Sequence, residues 1–377
     1  MMKNIRSISF ISVILFFALL CLPLIVKISG LKVPAGNFEN RKKEAMPSPA
    51  FSDFNHLYRN IDVFFKQFDR YYADNFGLRE LMLNLFTQIK VKVFRVNPFP
   101  QKAVEGENGW LFLGDSWSDV IKESKGIVVY NDEEVQRIVA KVLQMQSYFD
   151  QRGIKFYLAV APGKLGIYSE YLPIEKSGKM IKIDQVRGAL MKHGIGIIDM
   201  RDDFQSYKDY QLYYHTDTHW NGIGTFSGYQ TIMKRLVRDG CNELKILNFS
   251  DYRIDTSTTF RGGLSNMIRR ADKEKMVILK PLFKSNATAR QTKLVMPEYI
   301  QLKPGLYESR HTSNVNNLKI LVFHDSFFQY TAEFFKEGFG ETVLVWSGLD
   351  YNIVNKEQPD IVIYELAERS LDILLDI

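Results

Sequence analysis

The second half of the chain alternates short apolar runs with amphipathic stretches, and this alternation limits the possible fold more than any other feature. Apolar residues recur at helical spacing over residues 133–151, 181–193, 222–238 and 327–337. The apolar runs of strand length are KFYLAVAP, GIGIIDM, LKILVF, TVLVW and PDIVIYEL. Strands that alternate with helices form a largely parallel sheet covered on both faces, so the sequence predicts an α/β domain with a central, mostly parallel sheet flanked by helices.

The N-terminus carries a hydrophobic segment long enough to cross a membrane. Residues 7–26 contain no charged side chain, and a helix of this length spans about 30 Å, the thickness of a bilayer core. A signal peptide is the alternative, but no clear small-residue cleavage site follows, so we expect an uncleaved single-pass anchor. The basic cluster Arg41, Lys42 and Lys43 follows it and favours a membrane surface over nucleic acid.

The composition of the chain suggests how it is divided into segments. We expect residues 1–29 to form a cytoplasmic tip and transmembrane anchor, residues 30–60 a polar linker with scattered prolines, and residues 61–377 one catalytic domain. That domain begins with one or two helices over residues 61–94. Residues 240–316 are polar and irregular, which predicts an insertion or lid beside the sheet.

The cysteine content argues against two common kinds of stabilisation. Cys21 lies inside the hydrophobic segment, which leaves Cys241 alone in the body of the chain. We therefore expect neither an intramolecular disulfide nor a cysteine-based zinc site.

A serine follows one of the predicted strands. In LKILVFHDSFFQYTAEFF, Ser326 lies at a predicted strand-to-helix turn, where a nucleophile and an oxyanion hole can be built together at the carboxyl end of a parallel sheet. The simpler alternative is that Asp325 and Ser326 only cap the helix. Taken alone, this segment favours capping.

A second motif, in which a carboxylate and an imidazole lie two residues apart, favours catalysis over capping for Ser326. In YYHTDTHWNG, Asp217 and His219 point to the same side if the segment is extended. An imidazole activates a serine hydroxyl, and a carboxylate fixes the tautomer of the imidazole. The residues therefore predict a Ser-His-Asp set, while a divalent metal bound by His215, Asp217 and His219 is the less favoured alternative.

A second serine competes with Ser326 for the role of nucleophile. The segment GWLFLGDSWSD contains the tripeptide Gly114-Asp115-Ser116, a closer match to the G-D-S block of SGNH-type esterases than His324-Asp325-Ser326. The residues after Ser116, which include Trp117, do not read as a strand that feeds a helix. We therefore favour Ser326 and keep Ser116 as the alternative.

With these motifs the chain resembles the alginate O-acetyltransferase family of AlgJ and AlgX type. The segments that carry the resemblance are NFENRKKEAMPSP, YYADNFGLRE, NGWLFLGD, VAPGKLGIYSEYLP, HTDTHWNGIG, HDSFF and YELAERSL. The D-x-H-W and D-S-F elements, in that order, are the specific part. Residue His324, where the family has a glycine, departs from the pattern.

The resemblance implies an SGNH hydrolase-like fold with a circularly permuted motif order, in which Asp217 and His219 form the acid–base pair and Ser326 is the nucleophile. It implies a membrane-anchored, extracytoplasmic O-acetyltransferase, periplasmic or at the cell surface, that needs no cofactor. The acceptor is an exported polysaccharide, and a membrane-bound O-acyltransferase partner supplies the acetyl group. A carbohydrate acetyl esterase and a non-catalytic polysaccharide-binding subunit remain the alternative functions.

Four residues near these motifs are candidates for contact with substrate. Asn221 caps the next helix or donates to the oxyanion, with equal weight for each. Trp220 and Tyr330 are candidates to stack on a sugar, although packing beside the site is favoured for the tryptophan. Lys164 follows a strand end, where loops of such sheets meet ligands.

We also expect Glu365 and Arg369 to form an i,i+4 ion pair on a helical turn.

Overall fold

The computed structural model describes residues 2–30, 43–48, 57–116, 118–256, 258–298, 300 and 302–376. Most of the predicted linker, with Arg41 and Lys42, lies outside the described residues, as does Trp117. The chain divides into two compact units, one made of Met1–Phe99 with Asn266–Arg269 and the other of Pro100–Ser265 with Arg270–Ile377. The predicted single catalytic domain over residues 61–377 stays a prediction, because the helices before residue 99 cluster with the N-terminal unit.

The strands of the described residues all belong to the second unit. In chain order they are β1 (Ala103–Glu105), β2 (Leu111–Leu113), β3 (Lys155–Ala161), β4 (Ile198–Asp199), β5 (Tyr252–Asp255), β6 (Thr259–Phe260), β7 (Glu274–Lys275), β8 (Ile278–Pro281), β9 (Thr288–Ala289), β10 (Glu308–Thr312), β11 (Lys319–Phe323), β12 (Glu341–Val345) and β13 (Ile361–Ala367).

The helices are distributed over both units. In chain order they are α1 (Met2–Ser29), α2 (Leu57–Asn75), α3 (Arg79–Gln88), α4 (Val120–Ser124), α5 (Asp132–Asp150), α6 (Lys164–Ile167), α7 (Lys182–Met191), α8 (Arg201–Phe204), α9 (Gly222–Arg238), α10 (Gly263–Met267), α11 (Pro304–Tyr307), α12 (Ala332–Phe335), α13 (Tyr351–Glu357) and α14 (Ile373–Asp376). A π-helical turn, Ile89–Val93, extends α3, and a 3-10 turn, Ser326–Phe328, follows β11.

A seven-stranded sheet forms the centre of the second unit, in the order β4-β3-β13-β11-β12-β10-β9. The first five of these strands are parallel, and β10 and β9 add antiparallel partners at one edge. The predicted α/β fold with a mostly parallel sheet is therefore confirmed. The permuted motif order stays an interpretation of the sequence, in which the Asp-His element precedes the serine.

Buried side chains cover both faces of this sheet, which explains the continuous apolar runs in the sequence. On one face, α9 packs with Phe226 and Met233, and the α12 region adds Phe335. On the other face, α5 and α7 contribute side chains such as Val142 and Val186. Strand β13 is buried along its whole length, as expected for a central parallel strand covered by helices.

Three sequence predictions about secondary structure need correction. The GIGIIDM run contributes only Ile198–Asp199 as a strand. The single helix predicted over residues 327–337 is a 3-10 turn followed by the four-residue α12. The polar region 240–316 is not only an insertion beside the sheet: it forms the two ribbons β5–β8 and β6–β7, and it also supplies β9 and β10 to the main sheet.

The N-terminal unit is helical in its described residues. Helix α1 contains an apolar stretch, Ser12–Ser29, that is long enough to cross a membrane and is the one such helix among the residues described. Helices α2 and α3 confirm the two-helix alternative for residues 61–94. The amphipathic composition of α2, FFKQFDRYY, accounts for its helical form.

Candidate active site

Ser326, His219 and Asp217 lie in one hydrogen-bonded chain. The Nε2 atom of His219 is 2.8 Å from Oγ of Ser326, and its Nδ1 atom is 2.6 Å from Oδ1 of Asp217. An ionised carboxylate only accepts hydrogen bonds, so Nδ1 of His219 carries the proton and Nε2 accepts from the serine hydroxyl. The three side chains thus have the arrangement of a nucleophile, a base and the group that orients the base.

The carboxylate of Asp217 is held in its charged form. Burial by itself would raise the pKa of Asp217, but hydrogen bonds to its oxygens hold that pKa well below the ordinary value. The donors are the ring of His219, the backbone N–H of His219 at 3.0 Å and the backbone N–H of Gly263 at 2.5 Å. Asp217 is therefore a permanent negative charge next to the imidazole at neutral pH.

The turn that carries Ser326 is fixed by two acidic residues. Strand β11 ends at Phe323, and the carboxylate of Asp325 then accepts from the N–H groups of Phe327 at 2.8 Å and Ala367 at 3.0 Å. The backbone N–H of Asp325 donates to Glu365 at 3.1 Å. Capping by Asp325 and the bond from Ser326 to His219 coexist, so the two interpretations of this segment do not exclude each other.

His324, which departs from the family pattern, has a packing role in this turn. Its side chain is 5% exposed, and burial lowers its pKa to about 4, so the ring is neutral at physiological pH. Its Nδ1 atom lies 2.7 Å from the carbonyl oxygen of Asp325. A neutral ring with Nδ1 protonated donates to that carbonyl and adds one more constraint on the turn.

Asp217 and His219 lie at the tip of a tight loop rather than on an extended segment, which corrects the reason given for their proximity. Tyr213 and Trp220 pair as an isolated antiparallel bridge, and the residues between them form bends. The N–H of His219 folds back onto the carboxylate of Asp217. This local turn, and not the alternation of a strand, brings the carboxylate and the imidazole together.

Residues from the polar region 240–316 hold this loop, and the sequence analysis missed them. Glu274 accepts from the backbone N–H groups of His215 at 2.8 Å and Thr216 at 2.7 Å, and from the hydroxyl of Thr216. A Cβ at Gly262 would lie 2.1 Å from the carbonyl oxygen of Thr216, so only glycine permits this approach. The pair Gly262-Gly263 in a polar stretch was the available signal.

Lys164 is not a substrate-binding residue in this structure, which corrects the prediction. Its side chain is 6% exposed, and Nζ donates to the carbonyl oxygens of Leu111 at 2.6 Å, His215 at 2.9 Å and Asp217 at 3.0 Å. Burial lowers the pKa of Lys164 to about 7. The lysine therefore supports the backbone of the loop that carries Asp217, and it does so from the interior.

Asn221 and Trp220 also have structural contacts. The carboxamide oxygen of Asn221 caps α9 by accepting from Ile223 at 2.9 Å and Gly224 at 3.2 Å, and its amide nitrogen donates to Gln211. Capping is thus the alternative that the structure realises. Trp220 is 4% exposed and donates from its indole N–H to the carbonyl oxygen of Phe327 at 2.8 Å, so it packs under the serine turn, and only a small part of its side chain reaches the cavity beside Ser326.

Tyr330 differs from these residues because it is accessible. It is 63% exposed and lies on the wall of a cavity that also contains Ser326 and His219. An exposed aromatic ring beside a reactive serine can stack on a sugar. Its predicted contact with substrate stays a prediction.

The two alternatives built on other residues are not supported by the geometry. Ser116 is exposed in the turn after β2, and its backbone N–H donates to Gln101, whereas His219 is bonded to Ser326. His215 packs against the ring of Trp110 at a centroid distance of 4.3 Å, with Nδ1 3.8 Å from Glu274. Among the residues described, no three His, Cys, Asp or Glu side chains converge as a metal ion requires.

The expected ion pair between Glu365 and Arg369 is wrong. Glu365 lies on β13, where its carboxyl group is fully buried and its pKa is raised well above the ordinary value by that burial. Arg369 lies in the turn after β13, with its guanidinium 5.1 Å from the ring centre of Phe327. A strand followed by a turn does not give the i,i+4 proximity of a helix.

The chain matches one sequence family and several relatives of that family. The family described as the SGNH hydrolase-like domain of the acetyltransferase AlgX matches residues 103–302. The probable alginate O-acetylase AlgJ of Pseudomonas syringae pv. tomato is 21% identical over 318 residues, which is 81% of this chain and 78% of that protein. The probable alginate O-acetylase AlgJ of Pseudomonas putida is 21% identical over 334 residues, or 83% and 80% of the two chains.

A solved structure shares the fold. The structure of Bacillus cereus PatB1 superposes with a TM-score of 0.52 at 18% sequence identity, covering 70% of this chain and 95% of that chain. At this identity the likeness concerns the fold and not the activity.

Proposed function

This chain belongs to the AlgX family of SGNH hydrolase-like acetyltransferase domains, and on that premise we propose that it transfers acetyl groups to hydroxyls of an exported polysaccharide through an acyl-enzyme on Ser326. The observation that carries the proposal is the hydrogen-bonded chain from Ser326 to His219 to Asp217, at 2.8 Å and 2.6 Å. The names of the relatives, alginate O-acetylases, support a polysaccharide as the acceptor.

The first half-reaction forms the acyl-enzyme. His219 takes the proton of the Ser326 hydroxyl at Nε2 as the oxygen attacks the carbonyl carbon of an acetyl donor. The charge that develops on the imidazole is stabilised by the carboxylate of Asp217. The bond from the carbonyl carbon to the leaving group then breaks, and His219 returns its proton to that group.

The oxyanion of each tetrahedral intermediate needs a donor near the serine. The N–H of Phe327 is occupied by the carboxylate of Asp325, so it is not that donor. The N–H of Ser326 begins the 3-10 turn Ser326–Phe328, and the first N–H groups of a helical turn have no partner within the turn. We assign the oxyanion to the N–H of Ser326.

The second half-reaction releases the acetyl group to the acceptor. A sugar hydroxyl gives its proton to Nε2 of His219 and attacks the acyl carbon, and the bond from that carbon to Oγ of Ser326 breaks as the serine regains a proton. Water in place of the sugar would make the same site an esterase. Tyr330 at the rim is the residue that we expect to meet the sugar ring.

We further propose that the enzyme is anchored by α1 with the catalytic unit outside the cytoplasm, and that a membrane-bound O-acyltransferase supplies the acetyl group. The apolar stretch Ser12–Ser29 supports the anchor. An exported acceptor requires an extracytoplasmic site. In this proposal the membrane partner delivers the acetyl group to Ser326 on the side of the bilayer where the acceptor lies.

The test is mass spectrometry of the full-length protein, solubilised in detergent and incubated with an activated acetyl ester, with and without an acceptor oligosaccharide. We expect an acetyl group on Ser326 that is passed to the sugar. The variant Ser326→Ala is the control and should carry no acetyl group at that position. Acetate release without sugar modification would identify an esterase, and no acyl-enzyme with any donor would favour a non-catalytic polysaccharide-binding subunit.

A further inference from the structure

A cavity of about 350 Å³ opens beside Ser326 and His219. Its walls come from the loop of Asp217, the start of α9, the serine turn and the ribbon strands β6 and β8. Its wall carries apolar and aromatic side chains from these segments, among them Tyr214, Phe260, Met276, Leu279 and Phe327. The wall beside the nucleophile is thus mainly hydrocarbon.

Thr225, Asn221 and Tyr214 are polar residues of this wall that are already bonded within the protein, whereas Gln329 and the exposed Glu333 add polar groups where the cavity meets solvent. The hydroxyl of Thr225 donates to the carbonyl oxygen of Asn221 at 2.9 Å, and the side chain of Asn221 caps α9. The hydroxyl of Tyr214 accepts from the N–H of Val277 at 3.2 Å. A sugar ring needs several hydrogen-bond partners when it leaves water, and the inner wall of this cavity supplies few, so an apolar group suits it better.

The size of the cavity exceeds what an acetyl group requires. A methyl group is about as large as a water molecule, whose share of liquid volume is about 30 Å³. The cavity beside Ser326 is about 350 Å³. An acetyl group on Ser326 would therefore leave most of the apolar wall in contact with water.

We propose that this cavity is an acyl pocket, and that Ser326 accepts acyl groups of four to six carbons as well as acetyl. This inference rests on the proposed acyl-enzyme. Oγ of Ser326 bonds to the carbonyl carbon of the longer acyl donor, the alcohol or thiol leaves with the proton that His219 returns to it, and the alkyl chain lies on the side chains of Met276 and Leu279. The ribbon region, which the sequence predicted as an insertion or lid, then determines acyl-chain length.

The expected chain-length preference follows from burial of hydrocarbon. Each methylene group that moves from water to an apolar wall favours binding by about fourfold. A pocket of this kind keeps or raises kcat/KM from acetyl to butanoyl, whereas a site shaped for acetyl alone lowers it steeply.

The experiment measures hydrolysis of the 4-nitrophenyl esters of acetate, butanoate and hexanoate by the full-length enzyme in detergent. For the wild type we expect kcat/KM for butanoate to be at least equal to that for acetate. Met276→Trp, which fills the half-buried inner wall, should lower kcat/KM for hexanoate at least tenfold and leave acetate within twofold. Leu282→Trp is the matched control, because Leu282 is 67% exposed in the same region and outside the wall.

Several results would overturn the inference. A fall of more than tenfold from acetate to butanoate in the wild type, or an equal loss on all three esters in Met276→Trp, would show that the cavity does not hold the chain. If acetate is hydrolysed and this depends on Ser326 while butanoate is not, the acyl pocket fails and the proposed acetyl transfer stands. If no ester acylates Ser326, both fail.

Discussion

Two copies of the dipeptide Asp-Ser follow apolar strands in this chain, and they have different surroundings. Asp115-Ser116 follows β2, a three-residue strand in a two-stranded antiparallel hairpin. Asp325-Ser326 follows β11, a buried central strand paired in parallel on both sides. In the first copy, Asp115 accepts from the N–H of Ile121 at 2.8 Å and the serine is exposed.

The central position of β11 brings β13 and the loop of His219 close to Asp325-Ser326. The carboxyl ends of β11 and β13 lie side by side, so the carboxylate of Asp325 reaches the N–H of Ala367 as well as that of Phe327. The loop of His219 meets the same edge of the sheet. The comparison teaches that the dipeptide itself does not distinguish the two serines, whereas a position at the carboxyl edge of the parallel sheet brings one of them to His219.

The largest effect should separate the two serines. Ser326→Ala removes the atom that we expect to be acylated, and kcat for acetyl transfer should fall on the order of 10⁴-fold or more. Ser116→Ala should leave kcat within about twofold, because Ser116 is exposed and Nε2 of His219 is bonded to Ser326 instead. Rates measured with one acetyl ester test both variants. Equal losses in the two variants would break the comparison.

The two aspartates should differ by a smaller factor. Asp325→Ala leaves two backbone N–H groups without their acceptor, which should cost about 2–4 kcal/mol of unfolding free energy, and displacement of the serine turn should lower kcat by about tenfold to a hundredfold. Asp115→Ala removes one acceptor near a short helix, for a loss of about 1 kcal/mol. Denaturant unfolding and initial rates check both, and an unaffected kcat in Asp325→Ala would contradict the proposed support.

The hairpin that precedes Asp115-Ser116 is also linked to the loop that carries Asp217 and His219. Lys164 bonds the carbonyl oxygen of Leu111, on β2, and that of Asp217. Lys164→Met keeps most of the buried volume but removes these bonds, so we expect kcat to fall by about tenfold while KM changes little. Lys122→Met, at an exposed lysine paired with Asp119, is the control and should change neither parameter.

The last prediction concerns the pH dependence of stability. Burial lowers the pKa of Lys164 to about 7 from its ordinary value of 10.5, so between these values the unfolded chain binds a proton that the folded chain lacks. The contribution of this group to stability is lowest below pH 7 and rises with pH up to 10.5, by at most about 1.4 kcal/mol per pH unit. Unfolding free energies at pH 7 and 9 should therefore rise more in the wild type than in Lys164→Met. Parallel changes would contradict the lowered pKa.

The parts of the fold that the sequence predicted are those with a local signal. Helix α9 begins and ends at Gly222 and Arg238, as predicted, because a helical period and an Asn221 cap mark it in the sequence. Strands β3, β11, β12 and β13 were recognised as continuous apolar runs. Strand β10 was not predicted because its residues ESRHT are polar. Its Arg310 is buried in the sheet, where ion pairs with Glu308 and Glu357 compensate its charge.

The site was predictable in part for the same reason. Ser326, His219 and Asp217 stand in motifs, and the structure brings them together. Lys164 was a candidate for substrate contact because a position near a strand end does not reveal burial, whereas for Trp220 packing beside the site was already favoured. Glu274 lies more than fifty residues from the loop that it holds, and no periodicity in the sequence links the two.

By itself the sequence determined the alternation of strands and helices, the apolar N-terminal segment and the residue types of the proposed serine acyl-transfer site. These are properties of short stretches, in which backbone preference and hydrophobic period act locally. Only the tertiary structure decided which serine meets His219, which buried lysine supports Asp217 and which ribbon lines the cavity beside Ser326. Those contacts join segments far apart in the chain, and packing at the edge of the sheet selects them.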